Sequence, residues 1–197
     1  MTDRIARISR DTNESKISIT VNLDGSGQFE IDTGLPFFDH MVSHIAKHGV
    51  FDITLKAKGD LEIDQHHTVE DCGIALGQAF AEAVGDKSGI VRAGSAYMPL
   101  DEALAMAAID LSGRPYAVLD MKLFGTEVGG MAPDLFEHFL ESFAIALGAS
   151  LHIRTLAGVN DHHKTEACFK ALARALDAAT VIDPRRKGEI PSTKGTL

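Results

Sequence analysis

The chain spells His-His-x-x-Glu twice, at His66-His67-x-x-Glu70 and at His162-His163-x-x-Glu166, 96 positions apart in 197 residues. More of the sequence repeats around them. Phe38-Asp39-His40 matches Phe136-Glu137-His138, and Cys72 matches Cys168. The leading histidine stands 26 residues before the pair in the first half and 24 before it in the second, a loop-sized difference. This is an internal duplication with a period near 97 residues, far too long for a solenoid. It predicts two similar modules, 1–95 and 96–190, packed as one pseudo-symmetric domain, with 191–197 as a tail.

Each half reads alike. SKISITVNLDGSGQFEID alternates at period two around Asp-Gly and predicts a hairpin. PFFDHMVSHIAKHG predicts a helix closing on Gly49. FDITLKAKGDLEID predicts a second alternating pair turning at Lys-Gly-Asp. From His66 a long helix follows, with Val69, Cys72, Leu76, Phe80 and Val84 on one apolar stripe. In the second half, strands flank Ser-Gly-Arg-Pro, LFEHFLESFAIALG is a helix, SLHIRTLAG a strand and DHHKTEACFKALARALDAA the second long helix. The expected fold is α+β: a duplicated module of one β-sheet and two helices, each sheet covered on one face. The tail DPRRKGEIPSTKGTL shows no periodicity and is either disordered or docked on a site.

On a helix, positions i, i+3 and i+4 share a face, whereas adjacent residues diverge by about 100°. One histidine of each pair therefore faces the glutamate's neighbourhood while the other points elsewhere. The repeat selects six imidazoles and two carboxylates: His40, His66, His67, Glu70, His138, His162, His163 and Glu166. That is enough for two metal sites. Nitrogen and carboxylate donors without thiolate suit Mn, Fe, Co, Ni or Zn, and disfavour Ca or Mg. A metal-free, pH-sensitive polar network is the competing reading. His44, His48 and His152 lie outside the repeat and read as surface or satisfied core residues. Arg92, Arg114, Lys170 and Lys194 read, on spacing alone, as solvated surface.

A net charge of −9 argues against nucleic acid as partner, though it leaves room for a basic pocket that takes a small phosphorylated molecule. The start, MTDRIARISRDT, has no apolar signal core, and no apolar run reaches membrane-span length, so a cytoplasmic protein is expected. Two cysteines are too few for a disulfide framework and read as small buried helix residues.

FFDHM at 37–41, DQHHTVED at 64–71, LSGRPY at 111–116, HFLESF at 138–143, DHHKTEACFKALARAL at 161–176 and PSTKG at 191–195 together resemble the imidazoleglycerol-phosphate dehydratase family. The resemblance runs from about residue 4 to the C-terminus and is to the monofunctional form, without a phosphatase domain. It implies a duplicated fold of the ribosomal-protein-S5-domain-2 type and a homo-oligomer of twenty-four copies with sites between subunits. It also implies two manganese ions per site. The implied ligands are His40, His66, His67, Glu70, His138, His162, His163 and Glu166. The implied phosphate contacts are Arg92, Arg114, Lys170, Ser192 and Lys194. Glu14 is the implied carboxylate beside the reacting carbon, with Glu166 a second candidate for proton transfer. Where many members carry a substrate-contacting Gln, four residues after the Phe-x-Asp-His histidine, this chain has His44.

The implied reaction removes water from a diol beside an imidazole, turning imidazole glycerol phosphate into imidazole acetol phosphate in histidine biosynthesis. The hydrogen next to the ring is not acidic. Metal ions on the ring nitrogens would make an imidazolate accessible, and that could expel hydroxide. A dinuclear metallohydrolase and a non-catalytic metal-storage protein are the alternative classes. The storage protein would need no phosphate-binding tail, so trimming 190–197 should not matter to it.

Overall fold

The computed structural model describes residues 4–196. The chain runs β1 (Ile5–Asp11), β2 (Ser15–Asn22), β3 (Phe29–Asp32), α1 (Pro36–Gly49), β4 (Asp52–Gly59) and α2 (His66–Val84). The same order then repeats: β5 (Ala93–Leu100), β6 (Ala103–Asp110), β7 (Tyr116–Asp120), α3 (Asp134–Leu147), β8 (Ser150–Ala157) and α4 (Asp161–Thr180). Each half forms a four-stranded sheet of identical topology, β1-β2-β4-β3 and β5-β6-β8-β7. The fold is α+β and duplicated, as the repeat predicts.

One face of each sheet is covered. Along β2, Ser15, Ile17, Ile19 and Val21 are buried and alternate with more accessible residues, and along β6 Ala103, Ala105, Ala107 and Ile109 do the same. The long helix α2 lies on β1, β2 and β4, and α4 lies on β5, β6 and β8. The short helices cross over: α3 packs on α2, and α1 packs on α4. A run of phenylalanines seals this seam. Phe38 meets Phe139 edge-on at 5.0 Å, Phe139 stacks on Phe169 at 5.8 Å, and Phe80 meets Phe143 at 5.7 Å. The α2–α3 approach needs glycine. A Cβ on Gly73 would lie 2.8 Å from the Phe139 carbonyl oxygen, and one on Gly77 would lie 2.5 Å from that of Phe143.

Strand pairing departs from the sequence reading in three places. Residues 15–32 do not form a hairpin. β2 pairs antiparallel with β1 and β4, while β3 pairs in parallel with β4. The Asp-Gly segment instead wraps the Asp52 carboxylate, which accepts from the Ser26 and Gln28 N–H groups. A helix then joins the parallel strands, as parallel pairing requires. The strands flanking Ser-Gly-Arg-Pro likewise do not pair with each other, since β7 joins β8 in parallel. Residues after Lys-Gly-Asp make a turn rather than a strand: the Ile63 and Asp64 N–H groups donate to the Asp60 carbonyl. Strand β5 and the tight β1–β2 and β5–β6 connections were not anticipated.

The tail docks. The Gly89 N–H donates to the Glu189 carbonyl, and Arg92 Nη1 donates to the Pro191 carbonyl at 2.8 Å. Cys72 and Cys168 are fully buried, and burial pushes both thiols up, Cys168 to about 12. They are packing residues, as expected.

Candidate active site

Both His-His-x-x-Glu motifs begin a long helix. Asn160 caps α4 through its side chain, which accepts from the His162 and His163 N–H groups. In each pair the first histidine turns toward its own glutamate one turn on, and the second turns about a right angle away. The rings of His66 and His67 meet at 85°, and those of His162 and His163 at 88°.

Because the helices cross between halves, each cluster draws on both. In the first, His40 on α1 meets His162 and Glu166 on α4. The Nε2 atoms of His40 and His162 each lie 3.3 Å from Glu166 Oε2. In the second, His138 on α3 meets His66 and Glu70 on α2. His138 Nε2 is 3.6 Å from Glu70 Oε1, and His66 Nε2 is 3.9 Å from Glu70 Oε2. The donor atoms of each trio lie within 4.8 Å of one another.

His67 and His163 stand outside the trios and are held by carboxylates. His163 Nδ1 lies 2.7 Å from Glu102 Oε2, and His67 Nδ1 lies 3.1 Å from Asp60 Oδ2. A carboxylate on Nδ1 fixes the ring and leaves Nε2 to ligate, the usual support behind a metal-bound histidine. The free Nε2 of His67 lies 3.8 Å from Glu14 Oε1. Donating to the Glu102 carboxylate raises His163 from the ordinary imidazole value, and donating to Asp60 does the same for His67. Glu102 is drawn down to about 2 by His163 and by the Asn160 N–H. The sequence reading missed Asp60 and Glu102. Asp60 was seen only as a turn residue, and Glu102 sits in an unread connection.

Glu166 is nearly buried. Burial opposes its charge, but the Lys170 ammonium, 2.5 Å from Oε1, and the neighbouring imidazoles overcome this and hold it near about 2. His44 is buried on the same seam, its ring 4.5 Å from that of His40 and its Nε2 3.5 Å from Glu166 Oε2. Desolvation lowers it to about 4, so it is a neutral imidazole at neutral pH.

These residues fit a divalent transition metal. In the second trio, the Nε2 atom of His138 is buried without a hydrogen-bond partner. Two carboxylate-centred groups of imidazole nitrogens converge. Orphaned buried polar atoms are costly, and a cation among such donors satisfies them.

The residues expected to hold phosphate divide. Lys170 belongs to the His40 cluster. Arg92 lies at the other end of the second sheet, gripping Asp110 with Nε and Nη2 at 2.7 and 3.0 Å and touching the docked tail. Arg114 is exposed nearby, its carbonyl accepting from the Ser112 and Ser150 hydroxyls. Ser192 Oγ accepts from the Lys194 N–H at the same end. Between Arg92 and Glu102 runs the whole of β5, eight residues. At a rise of about 3.3 Å per residue, roughly 25 Å separates the Arg92 group from the histidines of the same chain.

The sequence profile of imidazoleglycerol-phosphate dehydratase matches residues 33–176. The chain belongs to the imidazoleglycerol-phosphate dehydratase family. It is 56% identical over 197 residues to the imidazoleglycerol-phosphate dehydratase of Dehalococcoides mccartyi, covering 100% of this chain and 99% of that protein. It is 53% identical over 197 residues to the enzyme of Acinetobacter baylyi, covering 100% and 98%. The crystal structure of the Staphylococcus aureus enzyme superposes with a TM-score of 0.82 at 35% identity, over 91% of this chain and 99% of that one. The Pyrococcus furiosus structure gives 0.84 at 36%, over 96% and 100%. The chain is thus a hydro-lyase of histidine biosynthesis that dehydrates imidazoleglycerol phosphate.

Proposed function

We propose that the dehydration takes place at two manganese ions, one among His40, His162 and Glu166 and one among His66, Glu70 and His138, with His67 and His163 supplied by neighbouring copies. The observation that carries this reading is the pair of second histidines. Each is backed by a carboxylate and aimed away from its own cluster, while each cluster holds only three convergent donors. The distance along β5 supports the same conclusion. Arg92, Arg114, Ser192 and Lys194 lie too far from their own chain's histidines to hold the phosphate of one small substrate, so a site must combine copies. A closed assembly of twenty-four copies, working in the cytoplasm, is the state we assign. The half-modules 1–95 and 96–190 carry the metal ligands between them, and 191–197 completes the phosphate site.

Bound ions supply Lewis acidity to the substrate's imidazole ring. The protein's own groups do the rest. Arg92, Arg114, Lys170, Ser192 and Lys194 hold the phosphate through charge-assisted bonds, and Arg92, fixed by Asp110, also seats the tail. Phosphate binding orients the reacting end. Glu14, beside His67 Nε2, carries the proton leaving carbon. Glu166 has one oxygen toward Lys170 and the other toward the imidazoles, which leaves it a ligand. His44, beside His40, takes the place of the substrate-contacting Gln.

The test is turnover of imidazole glycerol phosphate after chelation, with and without added Mn²⁺, followed by the enolised ketone product. Metal-independent turnover would remove the metal from the reading. Co-assembly of Arg114→Ala with His138→Ala chains tests sharing. Two inactive variants that regain activity together share sites between copies, and a mixture that stays inactive does not. Lys194→Ala should raise KM, and an unchanged KM takes Lys194 out of the phosphate site.

A further inference from the structure

The duplication pairs the two centres position by position, so their differences can be read directly. On the long helices Glu70 matches Glu166 and Ile74 matches Lys170, while on the short helices His138 matches His40 and Ser142 matches His44. The ligand types agree, but the residues one turn further along do not.

At the His40 centre, the Lys170 ammonium lies 2.5 Å from Glu166 Oε1. Both side chains are nearly buried, at 14% and 11% exposure, so solvent screens the pair little. At the other centre, Ile74 occupies the matching place. Among the described residues Glu70 has only histidines within ion-pair distance, and its side chain is 40% exposed. One centre therefore meets a cation with a carboxylate already compensated by a buried ammonium, and the other with an uncompensated one. His44 does not offset this difference, because it lies outside the trio of mutually convergent donors.

We infer that the two centres are unequal metal sites, and that Lys170 is the positioning residue that makes the His40–His162–Glu166 centre the weaker one. This rests on the reading that both clusters hold metal. Lys170 fixes the Glu166 carboxylate and at the same time sets a like charge on the far side of it from the cation, and with both side chains so little exposed the repulsion outweighs the positioning. The His40 centre fills last and empties first.

The experiment is a Mn²⁺ titration of the metal-stripped full-length protein, counting free ion by its electron paramagnetic resonance signal and following its size by sedimentation at each step. The wild type should bind two ions per chain in two classes that differ on the order of tenfold or more. Lys170→Met should tighten the weak class toward the other. Ile74→Lys, which places the ammonium at the second centre, should weaken the tight class, and a purely structural role for Lys170 would not produce this reciprocal effect. Two equal sites in the wild type, or a weak class unmoved by Lys170→Met, overturns the inference and leaves the metal sites standing. A folded protein that binds no Mn²⁺ overturns both.

Discussion

His163 and Glu102 show a carboxylate holding one nitrogen of a histidine that the repeat had singled out. Glu102 fixes one ring nitrogen so that the other is presented outward, and Asp60 does the same for His67. Glu102→Ala should lower Mn²⁺ affinity about 10- to 100-fold with the fold intact. Equal affinity in variant and wild type would show that the carboxylate is incidental. The pair also sets a pH window. His163 is raised from 6.5 and Glu102 is lowered from 4.5 to about 2. In metal-free protein the contribution from His163 is full below 6.5 and is lost as pH rises through its raised folded value. The contribution from Glu102 is full above 4.5 and is lost as pH falls toward about 2. The pair therefore stabilises the apo-protein most between these values. Metal binding runs the other way, because an imidazolium cannot ligate. Acidification should weaken metal binding as protons compete for His163, and Glu102→Gln, which removes the cause of its raised value, should move that weakening to lower pH. Weakening at the same pH in both would exclude His163 as the titrating ligand.

At the scale of the element, the end of α1 shows what a sequence can and cannot disclose. The helix closes on Gly49 as expected, but the left-handed conformation that ends it falls on Val50, at φ 59°, and not on the glycine. Gly49 is glycine for a different reason: a Cβ there would strike the Phe51 ring at 2.3 Å. A β-branched residue is strained at positive φ, so Val50→Gly should raise stability by about 1 kcal/mol. Gly49→Ala should lower it by about 1–3 kcal/mol through overpacking. Chemical denaturation measures both, and an unstable Val50→Gly would show that the exposed Val50 side chain matters more than its backbone. All four helices were legible because their apolar period is strong and long. The pairing of β3 and β7 was not. Parallel pairing is set by which strand lies across a helix crossover, and period-two alternation around Asp-Gly looks the same whether the chain reverses or wraps a carboxylate such as Asp52. The eight repeated positions were legible as a set. Their division into His40–His162–Glu166 and His66–Glu70–His138 was not, because it depends on α1 crossing to α4 and α2 to α3.

At the scale of the whole molecule, the clusters lie on the seam between the halves, so metal should hold the halves together as well as serve the reaction. A ligand that binds only the folded state stabilises it by about 2.7 kcal/mol when present at one hundred times its dissociation constant. Chelation should therefore lower the melting temperature, and added Mn²⁺ should restore it. If His67 and His163 complete sites on other copies, chelation should also shrink the assembly in sedimentation. A chelated sample that keeps its size would place those histidines outside the contacts between copies. The crossing of the helices also bears on ancestry. Neither half contains a complete trio: each long helix brings a histidine and a glutamate, and the third donor always comes from the other half. A half-length forebear with this module could have formed such a centre only by embracing its twin, and the two centres would then have been identical. Two copies in one gene are free to differ, and here a lysine stands beside one glutamate and an isoleucine beside the other.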